Sequence, residues 1–214
     1  MNYRGGVVTR VAGILLAAGD GTRLGQPKAT VELAGMTLAE RGVGLLRDGG
    51  TDPVLVITGA VPVQVARAVT VHNPDWSSGM GSSLAAGLRA LAAAGGPTGA
   101  ADGVAAAVIA LADQPLIGPE AVRRLIAAYA GGATVAVAAY GGKPRNPVLI
   151  ARVHWPAVLG LASGDTGARP FLRAHPELVS LIECGDTGRP DDVDTPEDLA
   201  RIRDEAATGS REGL

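Results

Sequence analysis

The sequence predicts an α/β fold of three layers, a mostly parallel twisted sheet with helices on both faces. Three observations predict it. Segments that read as strands alternate with segments that read as helices along most of the chain, the pattern left by crossover connections between parallel strands. Apolar residues make up 47% of the 214 but aromatics only 3%, so the core must be built from Ala, Val, Leu and Ile, as in parallel strands covered by Ala-rich helices. Glycine supplies 31 residues, roughly twice its average usage, placed singly or in pairs between apolar stretches. That distribution points to tight turns and close backbone approaches.

The elements follow in order. A short apolar run over 11–16 reads as the first strand, and a Gly-rich loop follows it as far as Lys28. Arg4 and Arg10 ahead of that run imitate the start of a secretory signal, but a short apolar run bounded by glycines is the mark of a buried strand. The capping-box spacing of Thr37 and Glu40 predicts a helix over 37–48. A strand over 53–58, a weak helical segment over 63–68 and a short strand over 70–72 come next. Residues 73–81 read as loop from their Pro, Asn, Ser and Gly content, and 82–94 as an Ala/Leu helix with Ser82 a candidate N-cap and Gly95 and Gly96 its stop.

A second strong strand over 104–112 runs into Asp113. Gly118, Pro119 and Glu120 open a helix reaching Tyr129, and strands are expected over 134–140 and 147–150. Short helices over 155–161 and 167–174 precede a strand over 179–183. The last helix has Thr195 as cap, Pro196 at its first position and Glu197 and Asp198 to complement its dipole, and it should run to Glu205. No repeat or linker interrupts the series, so a single domain over 1–214 is expected, with about ten N-terminal and eight C-terminal residues frayed.

Charge excludes some functions. Nineteen Lys and Arg against 21 Asp and Glu give a net charge of -2, with no block of like charge to grip a nucleic-acid backbone. No stretch reaches the roughly 18 apolar residues of a membrane span. One cysteine, Cys184, excludes an internal disulfide, and with only His72, His154 and His175 it leaves no zinc cluster. A cytoplasmic, reducing compartment suits such a chain. None of these four residues sits in a motif, and none is assigned a function.

The sharpest signal is the loop directly after the first strand: Leu16, Ala17, Ala18, Gly19, Asp20, Gly21, Thr22, Arg23, then Gly25 and Lys28. In an open parallel sheet ligands bind beyond the carboxyl ends of the strands, and a glycine loop there presents bare N–H groups to an anion. The spacing fits neither a Walker loop nor a dinucleotide fingerprint, because a proline precedes the lysine and no Ser or Thr follows it at once. The chain has 17 arginines and two lysines, Lys28 and Lys143. A lysine in this loop goes against that habit, as if a compact ammonium were needed there. The alternative reading is a structural turn with incidental basic residues.

These residues resemble the nucleotidyltransferases related to molybdenum-cofactor guanylyl- and cytidylyltransferases. The resemblance runs from Leu16–Lys28 through Asn73-Pro74-Asp75-Trp76, Gly79-Met80-Gly81-Ser82-Ser83-Leu84, Leu111-Ala112-Asp113-Gln114-Pro115, Asn146-Pro147-Val148 and Gly164-Asp165-Thr166-Gly167-Ala168-Arg169 to Asp192-Val193-Asp194-Thr195-Pro196-Glu197-Asp198. The later segments look like the cytidylyltransferase branch. The resemblance implies a Rossmann-like nucleotidyltransferase fold and transfer of CMP from CTP to the phosphate of molybdopterin, with release of pyrophosphate. It further implies Mg²⁺, and a molybdenum hydroxylase as recipient of the product. Other readings are a guanylyltransferase using GTP, a transferase acting on another phosphate, or a nucleotide-binding module without turnover.

On this resemblance Arg23 would pair with the β and γ phosphates and Lys28 with the α phosphate, while Leu16, Ala17, Ala18, Gly19 and Gly21 frame the nucleotide. Asp113, at the mouth of an apolar strand, is the first metal candidate, although Asp before Gln-Pro is also ordinary turn chemistry. Asp194 is the second, with Asp192 as substitute, and Asp194 can equally serve the helix N-terminus. Gly81 and Ser82 are expected to border the base, and Trp76 could either stack on a ring or pack. Asn146, Asp165 and Arg169 would face molybdopterin. Many family members have histidine where Asn146 stands. Ala18 stands where the guanylyltransferases tend to have glycine, and its methyl should disfavour a purine. As a loop residue, Lys28 is expected to be exposed and to add little to stability.

Overall fold

Strand β1 (Arg10–Leu16) takes the middle of the sheet because both its faces are apolar. Val11 and Leu15 enter one core cluster, and Ala12, Ile14 and Leu16 the other. The computed structural model describes residues 10–93 and 103–209. After β1 comes a small antiparallel ribbon, β2 (Glu32–Leu33) and β3 (Met36–Thr37). The remaining strands are β4 (Val54–Thr58), β5 (Val69–His72), β6 (Val104–Leu111), β7 (Val135–Tyr140), β8 (Lys143–Ala151) and β9 (Val179–Glu183). The seven-stranded sheet has the order β5-β4-β1-β6-β8-β7-β9, parallel throughout except for β8, which runs against both neighbours. From β1 the chain builds outward to β5 and then returns to place β6 on the other side of β1. The crevice between β1 and β6 is therefore a switch point, where open parallel sheets bind ligands.

Helices α1 (Leu38–Asp48) and α3 (Pro119–Ala130) cover one face. Helices α2 (Met80–Ala93), α4 (Trp155–Leu161) and α5 (Arg169–Ala174) cover the other. Close approach to β1 depends on glycine on both sides. A Cβ on Gly42 of α1 would stand 2.4 Å from Leu15 Cδ1, and one on Gly87 of α2 2.9 Å from Ile14 Cγ2. Helix α6 (Pro196–Gly209) packs Leu199 and Ile202 with Val193 onto Leu24, Val31, Leu33 and Leu38. The C-terminal helix thereby braces the far end of the Gly-rich loop. Among the described residues no helix is long and apolar enough to cross a membrane.

Both expected caps form: Thr37 and Glu40 exchange hydrogen bonds at the start of α1, and Thr195 and Asp198 do so at the start of α6. Several expectations are corrected. Residues 63–68 form no helix, because β-branched Val63 and Val65 pack onto the α1 side of the core while the chain makes only a turn from the Val65 carbonyl to Ala68 N–H. The strand expected over 147–150 begins at Lys143, since Gly141 and Gly142, both with positive φ, close a two-residue hairpin with β7. Gly167, at φ +55°, delays the helix expected from 167 until Arg169. Ser82 is not an N-cap, because α2 starts at Met80; Gly95 and Gly96 lie outside the described residues. At the ends of the described residues, Arg10 belongs to β1 and α6 continues to Gly209.

Candidate active site

A cleft of about 1480 Å³ opens at the carboxyl ends of β1 and β6. Pockets for a single small ligand hold roughly 300–1,000 Å³, so this one has room for two substrates side by side. Leu16, Ala17, Ala18, Gly19, Gly21, Arg23 and Lys28 all line it. The root of the loop is pinned to the sheet, with Ala17 N–H donating to the Ile57 carbonyl (3.0 Å) and Ala60 N–H to the Ala18 carbonyl (3.1 Å). Its turn depends on Gly21, which has φ +66° and whose carbonyl accepts from both Leu24 and Gly25 N–H. A Cβ there would stand 1.9 Å from the Gln26 carbonyl oxygen. Gly21→Ala is therefore expected to lower nucleotide affinity at least tenfold by unwinding the turn that brings Lys28 back to the strand end, while costing only about 1–3 kcal/mol of stability. Calorimetric titration with nucleotide, set beside a thermal melt, checks both halves.

Lys28 is not the exposed loop residue expected. Its side chain is only 20% exposed, because the turn folds it inward against two carboxylates. Nζ donates to Asp113 Oδ2 at 2.7 Å and to Asp194 Oδ1. Asp194 Oδ2 in turn faces Arg23 Nη2 at 3.0 Å, on a side chain that is 71% exposed. Arg23, Asp194, Lys28 and Asp113 thus form one chain of alternating charge. Burial works against the Lys28 ammonium, but the charges and hydrogen bonds of Asp113 and Asp194 outweigh it and raise its pKa. The Lys28 hydrogen bond, followed by the charges of Lys28 and Arg23, holds the Asp194 carboxyl below its usual range against the effect of burial.

Two further contacts set the spacing of the carboxylates. Val193 N–H donates to the Asp113 carbonyl at 2.8 Å, and the buried Gln114 amide donates to Asp192 Oδ1 at 2.9 Å. Burial pushes the Asp192 carboxyl up, opposed by the Gln114 hydrogen bond and reinforced by the charges of Asp113 and Asp194. Asp113 Oδ1 and Gln114 Oε1 are buried without a hydrogen-bond partner. Among the described residues no group of three or more His, Cys, Asp or Glu has the arrangement of a complete metal cage. The donor set suits a hard cation such as Mg²⁺, which is typically held by one or two carboxylates plus phosphate and water oxygens. Asp113, Asp194 and Asp192 are the cleft carboxylates that could hold one.

Asn146, Asp165 and Arg169 also line the cleft, together with Arg145 and Leu181. Asp165 accepts a hydrogen bond from Met80 N–H at 3.3 Å. Arg169 makes no side-chain hydrogen bond or ion pair among the described residues and is exposed, free to meet an anion. Gly81 and Ser82, expected beside the base, do not line the cleft. A Cβ on Gly81 would stand 2.6 Å from Ser163 N, so this glycine lets α2 pack against the turn before α5. The Ser82 hydroxyl is turned inward, donating to the Asp75 and Gly79 carbonyls and accepting from Asn73. Gly79, Met80 and Ser83 line the cleft in their place, with Trp76 and Gln114. Gln114 could have been suspected from its place beside Asp113, whereas nothing local singles out Arg145.

Residues 13–179 match the MobA-like NTP transferase domain family. Nicotine blue oxidoreductase of Paenarthrobacter nicotinovorans is 38% identical over 206 residues, spanning 90% of this chain and 96% of that protein. The molybdenum cofactor guanylyltransferase of Rhodobacter capsulatus is 28% identical over 203 residues, spanning 91% and 96%. Among solved structures, a Mycobacterium sp. strain JC1 homologue of a Mycobacterium tuberculosis protein superposes with a TM-score of 0.78 at 29% identity, covering 94% of this chain and 98% of that one. The matched residues carry the carboxyl half of β1, the Gly-rich loop and Asp113, and the chain belongs to the MobA-like NTP transferase family of nucleotidyltransferases.

Proposed function

We propose that the protein transfers CMP from CTP to the phosphate of molybdopterin and releases pyrophosphate. The observation that carries this reading is Lys28, folded back between Asp113 and Asp194 at the switch point and joined through Asp194 to Arg23. That is a set of cations and metal-binding carboxylates at one spot, as polyphosphate chemistry requires. An oxygen of the acceptor phosphate attacks the α-phosphorus; the new P–O bond forms as the bond to the β-phosphate oxygen breaks, and pyrophosphate leaves with that electron pair. The attacking oxygen is already anionic, so no general base is needed. Lys28 meets the α-phosphate, Arg23 the β and γ phosphates, and the loop N–H groups the remaining oxygens. Asp113 and Asp194 would hold a divalent cation, whose chemistry is neutralisation of charge on the phosphoryl oxygens. Asn146, Asp165 and Arg169 orient the acceptor. The reading places the enzyme in the cytoplasm, upstream of a molybdenum hydroxylase.

Ala18 supports cytidine. It lines the cleft, and its backbone is pinned by Ala60, so its methyl group has nowhere to retreat from a purine. Ala18→Gly is expected to shift the CTP/GTP ratio of kcat/KM toward GTP by about tenfold to a few hundredfold, with CTP use falling only modestly. A parent enzyme that already prefers GTP assigns the protein to guanylyl transfer instead, and an unmoved ratio moves recognition of the base from Ala18 to residues 79–83. The identity to nicotine blue oxidoreductase favours a second reading, reduction of a dye in the same cleft. Incubation with reduced nicotinamide dinucleotide and 2,6-dichlorophenolindophenol separates the two. Under the transferase reading, bleaching stays at the rate of the buffer.

A further inference from the structure

Resting on that metal–nucleotide reading, we infer that Lys28 and Arg23 act as resident counter-ions of Asp113 and Asp194, so that divalent cation and polyphosphate each bind by releasing what the other needs. Both oxygens of Asp194 are engaged, Oδ1 by Lys28 and Oδ2 by Arg23, and Lys28 also occupies Asp113 Oδ2. Of their four oxygens only Asp113 Oδ1 is left without a partner, and Oε1 of the next residue, Gln114, is likewise buried and unpartnered. A cation approaching these carboxylates meets an ammonium and a guanidinium already in place. A polyphosphate approaching the two basic groups finds them neutralised by the carboxylates. When polyphosphate draws Lys28 and Arg23 outward, the carboxylates are freed for the metal; when metal takes the carboxylates, the basic groups are freed for phosphate. By linkage the two effects are equal and of one sign. Lys28 carries most of this coupling, because it bridges both carboxylates in a largely buried position, whereas Arg23 is mostly exposed and makes one contact.

The test uses crossed binding measurements on the full chain, none of them an assay of turnover. Mn²⁺ binding without nucleotide is followed by the loss of its free paramagnetic signal, and binding of inorganic pyrophosphate is followed by calorimetry in EDTA. Lys28→Gln is expected to tighten Mn²⁺ at least tenfold while weakening pyrophosphate. Lys28→Arg, which keeps the charge, should leave Mn²⁺ within threefold of the parent. Asp194→Asn should do the reverse of Lys28→Gln, tightening metal-free pyrophosphate and weakening Mn²⁺. Unchanged or weaker Mn²⁺ binding by Lys28→Gln, in protein whose melting curve shows it folded, overturns the inference. Failure of the parent to bind pyrophosphate under any condition would instead count against the nucleotide reading, leaving the Mn²⁺ comparison to stand by itself.

Discussion

Lys28→Ala is expected to lower kcat at saturating nucleotide by about 10²–10³-fold, the usual cost of losing one group aimed at charge that develops in the transition state. Nζ is the basic group set deepest at the strand ends, and no other lysine is near, since Lys143 sits at the exposed start of β8. Stability should fall too, contrary to what a loop position suggests, because the truncation leaves part-buried Asp113 without its cation and Asp194 with only the exposed Arg23. For a part-buried pair this costs about 1–3 kcal/mol. Mg²⁺ should offset part of that loss by supplying the missing positive charge. Steady-state kinetics and thermal melts with and without Mg²⁺ measure both effects. An unchanged kcat removes Lys28 from the mechanism.

Asp113→Asn is expected to raise the Mg²⁺ concentration for half-maximal activity at least tenfold and to lower kcat at saturating metal. The triphosphate brings about four negative charges that one Arg and one Lys do not balance, so the cation is needed. Asp113 offers a buried, unpartnered Oδ1 besides the oxygen held by Lys28. The amide keeps the shape and removes the charge, and a thermal melt separates any loss of stability from the loss of metal. Titration of activity with Mg²⁺ provides the measurement. A curve that overlays the parent's moves the metal to Asp194 or Asp192.

The parts of this site that were legible in the sequence are those whose signal is local. Gly21 and Lys28 lie seven residues apart in one loop, and Asp113 follows directly on the uninterrupted apolar run over 104–112. The alternation of strand and helix segments likewise foretold a parallel sheet, because each crossover is written in consecutive residues. What was not legible depends on partners distant in sequence. Burial of Lys28 is decided by Asp194, 166 residues away, and the inward turn of Ser82 by Asn73 and Asp75. Gly81 looked like part of a base-binding loop because its packing against Ser163 cannot be read from its neighbours. The hairpin that reverses β8 is signalled locally by Gly141 and Gly142, whereas the pairing of β8 with the distant β6 is not written in consecutive residues. Residues 63–68 carried a helical period that β-branched side chains and a tight turn overrode.

The central claim is that this cleft joins a nucleotide to an acceptor phosphate, and pyrophosphate release tests it most directly. The purified protein is incubated with Mg²⁺ and each of the four ribonucleoside triphosphates in turn, with and without molybdopterin, and pyrophosphate is quantified. The account predicts release with CTP that requires molybdopterin and matches it mole for mole, with GTP at least tenfold slower. No release above the protein-free control with any of the four triphosphates, from folded protein that bleaches the dye in the presence of reduced nicotinamide dinucleotide, would contradict it.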